Sequence, residues 1–193
     1  MSPSDLQKSS KALILVDFIN PMDWREAKDL APFALDAARA TAVVKAGARR
    51  AGVPVIYAND NFGRWRSDFP TLARKLATGS GPGAVMAKLL RPSRGDLTIL
   101  KPMHSAFYGT PLEILLQQMG VREIVLAGLA ADICVQITAT DAFLRGFKVR
   151  VPADCVASET EIAKTAALEH MARVLKCDVR PALLAGRSND PQK

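Results

Sequence analysis

VREIVLAGLAADICVQITATDAFLRGF, residues 121–147, holds the change of pattern on which the fold turns. Its first part, Ile124-Val125-Leu126-Ala127, is a short, β-branched apolar run of the kind that forms a buried strand. Gly128 ends that run. From Asp132 the spacing becomes helical, and Ile133, Ile137, Thr140 and Leu144 fall on one face. Asp132 is expected to cap the helix, which places Cys134 in its first turn. There the unpaired backbone N–H groups and the positive end of the dipole favour a thiolate. A cysteine in an apolar stretch is more often an inert buried residue, and this segment alone favours that reading.

Outward from this stretch the same grammar repeats. Residues 12–16, ALILV, form a continuous apolar run that stops at Asp17 and fits a central parallel strand. A loop at 21–29 and an alanine-rich helix at 32–50 follow; Gly52 closes the helix and residues 53–57 begin the next strand. Gly120 before 121–127 and Gly146 before 147–151 repeat that punctuation, as consecutive βαβ units do. Residues 97–100 add a strand, 159–175 a helix, and Val179 marks a short last strand. The glycine-rich run at 79–83 follows no strand and lacks a Gly-Lys-Ser/Thr ending, so it reads as a turn before a helix at 84–90 rather than a phosphate loop. The fold class is α/β, a sandwich around a mostly parallel sheet of about six strands.

Composition sets the bounds. With 193 residues, 49% of them hydrophobic, a single domain over 1–193 is expected, with flexible tails at about 1–10 and 186–193. Three cysteines at no metal-like or framework spacing point to a reducing compartment. The polar lead and the lack of any bilayer-length apolar run predict a soluble, cytoplasmic protein with no membrane partner. The net charge of +7 comes from scattered residues, with Arg49-Arg50, Arg64-Trp65-Arg66 and 91–94 the densest groups. A solvated basic surface, not a nucleic-acid site, is the reading.

In such a sheet, ligands gather at the carboxyl ends of the strands. Asp17, then Asn59 and Asp60, then Lys101 lie at successive strand ends, and Cys134 follows the fourth strand. Singly, a strand-end Asp is often a turn residue and a strand-end Lys is usually solvated. Together they supply an acid, a cation and a thiol. Lys⁺ lowers a thiol pKa and keeps a carboxylate ionised, while the carboxylate moves the proton.

LILVDFIN with Asp17, LKPMHSAFYGTPLEILL with Lys101 and AGLAADICVQITATDAF with Cys134 resemble the isochorismatase-like cysteine hydrolase superfamily, over about residues 12–179. The family includes nicotinamidases, carbamoyl-amide hydrolases and isochorismatases. The resemblance implies a Rossmann-like three-layer fold with strand order 3-2-1-4-5-6, and it reverses the reading of Cys134 to a nucleophile. It further implies Asp17 as the proton-transfer group, Lys101 as its cationic partner, and a cis peptide at Leu129-Ala130. The N–H groups of Ala130 and Cys134 would then form the oxyanion hole. In that strand order Lys101 lies two strands, about 10 Å, from Asp17, a gap for its side chain to close.

Two departures stand out. Ala131 replaces the family's usual Thr or Ser after the cis pair. The loop after the second strand lacks the histidine of the nicotinamidase metal site, and His104 and His170 are the only histidines. No metal and no cofactor are therefore expected. The resemblance implies a cysteine hydrolase acting on a small-molecule amide or related C–N bond through an acyl-thioester, with Asp17 as the base for deacylation. Phe18, Asn20, Asn59, Asn61, Trp65, His104, Phe107 and Tyr108 are the candidate pocket residues. A homo-oligomer, dimer or tetramer, is also implied. The alternatives are vinyl-ether hydrolysis of isochorismate type, which needs no thiol, and a non-catalytic binding protein that keeps the fold.

Overall fold

β1 (Lys11–Val16) occupies the middle of the sheet because both of its faces are apolar. Ala12, Ile14 and Val16 point into one core cluster, Leu13 and Leu15 into the other. In the computed structural model, which describes residues 6–63 and 68–182, β1 pairs in parallel with β2 (Val55–Asp60) and β4 (Glu123–Leu129). β3 (Leu97–Lys101) lies outside β2, and β5 (Lys148–Arg150) lies beside the first half of β4. The order is β3-β2-β1-β4-β5, as expected, and every pairing is parallel.

The sixth strand departs in detail. β6 (Val156–Ala157) pairs with Gly128 and Leu129 of β4 where β5 has already ended, rather than beyond β5. Val179 forms no strand of its own; beside it, Asp178 makes one isolated bridge to Arg150.

Helices cover both faces. α1 (Ala27–Arg50), α2 (Phe69–Ala77) and α3 (Pro82–Leu89) close one side with Leu30, Ala34, Phe69 and Met86. α4 (Leu112–Met119), α5 (Gln136–Leu144) and α6 (Glu161–Arg173) close the other with Leu112, Leu116, Ala139 and Met171. α1 starts five residues before the expected position. Pro32 suggests a helix start, but the preceding turn is held by the buried Ala27 and Leu30. No helix among the described residues is long and apolar enough to cross a membrane.

The large apolar side chains of the Cys134 turn and α5 point outward. Ile133, Ile137 and Leu144 are 42%, 39% and 73% exposed, while Val135, Thr138, Ala139 and Ala142 are buried. Small residues let the helix lie close to the sheet, so the larger side chains of the stretch point away from the core.

Two glycines set the backbone geometry of the sheet's carboxyl edge. A Cβ on Gly128 would stand 2.2 Å from the Val16 carbonyl oxygen, so only glycine lets β4 approach the end of β1 this closely. A Cβ on Gly83 would meet the Asn20 carbonyl oxygen at 2.3 Å, which seats α3 against the loop after β1.

Candidate active site

The chain leaves β1 at Asp17 in the left-handed region, φ 53°, a conformation Asp tolerates better than most residues. The Asp17 N–H donates to the Ala58 carbonyl (3.1 Å), and the Asp60 N–H donates to Asp17 Oδ1 (2.7 Å). The carboxylate is thus tied to the neighbouring strand end. Lys101, at the end of β3 and in register with Asp60, is fully buried. Its side chain spans the end of β2, so that Nζ lies 2.8 Å from Asp17 Oδ2 and 3.8 Å from Asp60 Oδ2. The two-strand gap between Asp17 and Lys101 is closed by the length of the lysine side chain. Nζ also donates to the Met103 carbonyl (3.2 Å) and reaches Cys134 Sγ at 3.6 Å.

Cys134 sits in a wide π-helical turn, Ala131–Val135, between β4 and α5. The Val135 and Ile133 N–H groups both donate to the Ala130 carbonyl at 3.1 Å. Such turns are uncommon and occur often at functional sites. The Leu129–Ala130 peptide is cis. Asp132 does not cap the helix: its carboxylate accepts from Ser158 Oγ, which ties the turn to the loop after β6. Ala131, in the position of the family's hydroxyl residue, is fully buried.

The electrostatics revise one expectation. Burial pushes the Cys134 thiol up to about 12; the Asp17 charge adds to this, and Lys101 only partly offsets it. Cys134 therefore rests as a neutral thiol beside the Asp17 carboxylate, not as a thiolate stabilised by lysine and helix dipole. One cation already paired with a carboxylate does not outweigh burial next to that carboxylate. Burial likewise raises Asp17, against the opposing pull of Lys101. For Lys101 burial is the largest influence and lowers the pKa, but Asp17, Cys134 and Asp60 together raise it, so the ammonium persists. Cys155 and Cys177 are pushed up to about 12 and about 11, chiefly by burial. Cys134 is distinguished by its partners, not by its acidity.

Around this cluster the remaining candidates divide. His104 Nδ1 lies 3.7 Å from Cys134 Sγ. Exposed Tyr108 lines a cavity of about 190 Å³ beside it, with Met103, His104, Ser105, Ile137 and Asp141. Asn59 is buried and clamps the loop after β1, donating from Nδ2 to the Ile19 carbonyl (2.9 Å) and accepting from the Ile19 N–H (3.2 Å). Asn20 accepts from the Met22 N–H (2.9 Å) and Asn61 from the Gly63 N–H (2.8 Å), so both hold loops. Phe18 and Phe107 are buried in the two core clusters, and Phe107 packs on Phe147 with centroids 6.0 Å apart. Trp65 lies outside the described residues. The sequence reading left Asp60 and the Met103 carbonyl without a role. The β2–β3 register, which no local pattern encodes, brings Asp60 to the lysine, and Met103 lies two residues further along the lysine's own segment.

Among the described residues no three His, Cys, Asp or Glu side chains are placed to hold a metal ion. The cluster is instead a buried ion pair beneath a half-buried thiol, an arrangement able to take a proton from sulfur as it attacks a carbonyl.

Comparison with known proteins shows the family. The isochorismatase domain family matches residues 11–178. The uncharacterized isochorismatase family protein YaaI of Bacillus subtilis (strain 168) is 34% identical over 174 residues, 90% of this chain and 95% of that protein. Maleamate amidohydrolase of Pseudomonas putida is 30% identical over 75% of this chain and 71% of its own length. The crystal structure of N-carbamoylsarcosine amidase from Thermoplasma acidophilum superposes with a TM-score of 0.69 at 29% identity, over 90% of this chain and 96% of that one. The chain belongs to the isochorismatase family and is a hydrolase of that family.

Proposed function

We propose that this hydrolase cleaves a small amide or related C–N bond through a thioester on Cys134. The observation that carries the reading is the convergence of Asp17, Lys101 and Cys134, with Nζ 2.8 Å from the carboxylate and 3.6 Å from the sulfur. Attack begins from the neutral thiol. As the S–C bond forms, the thiol proton passes to Asp17 and the carbonyl electrons move to oxygen. The backbone N–H groups of Ala130 and Cys134 receive that oxyanion. Lys101 keeps a positive charge beside both acid and sulfur, so neither partner carries uncompensated charge at the transition state. The C–N bond then breaks, the amine departs with a proton, and water hydrolyses the thioester. The amidase relatives support C–N chemistry over the vinyl-ether alternative.

A panel of small amides, ureas and isochorismate, with wild type and Cys134→Ala, tests the reading. Turnover of an amide or urea is expected in wild type alone, with an acyl adduct on Cys134 detected by mass after rapid quenching. Turnover that survives in Cys134→Ala, or of isochorismate only, would overturn it. A homo-oligomer also belongs to this reading, and sedimentation velocity measures it.

A further inference from the structure

Two proton transfers complete the proposed cycle: one to the departing nitrogen and one from the attacking water. Asp17 is poorly placed for either. It is 6% exposed, its Oδ1 accepts from the Asp60 N–H and its Oδ2 is paired with Lys101, so it forms the floor beneath the sulfur. His104 stands on the other side. It is exposed, its Nδ1 is 3.7 Å from Cys134 Sγ, and it has no other hydrogen-bond partner among the described residues. An amine leaving the carbon bonded to sulfur departs toward solvent, and water enters the same way.

We propose that His104 is a second proton-transfer residue, serving the amine and the water while Asp17 serves the sulfur. The proposal rests on the hydrolase reading above, and it moves the base for deacylation from Asp17 to His104. The protons balance. Asp17 takes the thiol proton as sulfur attacks, and imidazolium at His104 gives its proton to nitrogen as the C–N bond breaks. Water then attacks the thioester and gives its proton to the now neutral imidazole. As the C–S bond breaks, protonated Asp17 returns its proton to sulfur. Thiol, carboxylate and imidazolium are all restored, and the net reaction is amide plus water to acid plus amine.

The groups facing His104 are consistent with this division. Cys134 lies against the ring; Lys101, Asp17 and Asp60 lie behind the sulfur. On the outer side Tyr108 and Asp141 share its cavity, and Asp141 is already engaged by Arg145 (2.9 Å) and by Ser105 Oγ. Asp141 is therefore committed to other partners, and the imidazole is left to the sulfur side.

The test compares His104→Asn with wild type on an amide and on an aryl ester sharing one acyl group. An aryl oxide leaves without a proton, whereas an amine does not. Loss of the acid is expected to lower amide acylation by about a hundredfold and ester acylation by no more than about threefold. Because deacylation also loses its base, the ester reaction should show a burst with acyl-Cys134 accumulating, and added imidazole should shorten the accumulation. Equal losses on amide and ester, or no loss on either, overturn the assignment and leave the hydrolase reading standing. A wild-type protein that forms no acyl-Cys134 from either compound overturns both.

Discussion

At the scale of single residues, the Asp17 carboxylate raises the pKa of the thiol, while the thiol lowers that of Asp17 against the larger raising effect of burial, and the signs carry two predictions. Asp17 is the second-largest influence raising the Cys134 pKa, after burial. Asp17→Asn should therefore lower the thiol pKa and speed alkylation of Cys134 by iodoacetamide at pH 8, by about tenfold, while abolishing turnover. Peptide mass spectrometry reads the rate; slower labelling than in wild type would show that Asp17 assists thiolate formation more than its charge opposes it. The second prediction concerns pH. The proposed cycle starts from Asp17 as a carboxylate, and burial raises its pKa while Lys101 lowers it. The acid limb of kcat/KM should lie above the ordinary carboxylate value of about 3.9. Lys101→Met removes the lowering influence, so in the residual activity of that variant the limb should move further up. A limb that stays or moves down would mean another group sets it. Cys134, pushed up to about 12, supplies no alkaline limb near neutrality.

At the scale of elements, the site depends on how closely β4 approaches β1. Gly128→Ala would place a Cβ 2.2 Å from the carbonyl oxygen of Val16, the residue before Asp17, and directly before the cis pair Leu129–Ala130. The contacted atoms are the Val16 carbonyl oxygen, carbonyl carbon and Cβ, none of them the far end of a flexible side chain, so a strand must shift. The expected cost is about 2–4 kcal/mol in urea unfolding, with turnover falling further than stability because the shift separates Asp17 from the cysteine turn. Wild-type stability and activity in Gly128→Ala would mean the edge is more compliant than its packing implies. The strands themselves were legible. ALILV, residues 12–16, and IVLA, residues 124–127, are apolar on both faces, and Gly52, Gly120 and Gly146 do separate helix from strand. The three strand ends that carry Asp17, Lys101 and the Cys134 turn were legible for the same reason. The turn was not, because Asp132 has the chemistry of a cap and its real partner, Ser158, lies 26 residues away. Which face of α5 is buried was not legible either, because Ile133 and Ile137 announce themselves by size, whereas Ala139 and Ala142 bury without a signal. A buried Lys45–Asp96 pair at 3.2 Å, with Lys45 Nζ also donating to the Arg91 carbonyl (2.7 Å), was equally silent, since each residue looks solvated in its own segment.

At the scale of the whole molecule, the arrangement of donors bears on metal dependence. A catalytic divalent ion of the zinc type needs three protein ligands and an open position. His104 faces Cys134, and His170 lies in the last turn of α6, on the helical layer built from α4, α5 and α6. Asp60 accepts from the Phe62 N–H and lies 3.8 Å from Lys101 Nζ, and a cation beside that ammonium would be repelled. Asp17 is committed to Lys101, so recruiting it would break the buried ion pair on which the thiol depends. The site therefore neutralises its own charges internally, and a divalent ion would have to displace Lys101 to enter. Prolonged dialysis against EDTA or dipicolinate should leave kcat/KM on the best amide within about twofold of the untreated protein. Elemental analysis of the purified protein should find no stoichiometric zinc, iron or manganese. Loss of turnover on chelation, restored by one added ion, would require a ligand set that includes Asp60, with Lys101 moved aside. In that case Lys101→Met should bind the ion more tightly, which isothermal titration would detect without any substrate.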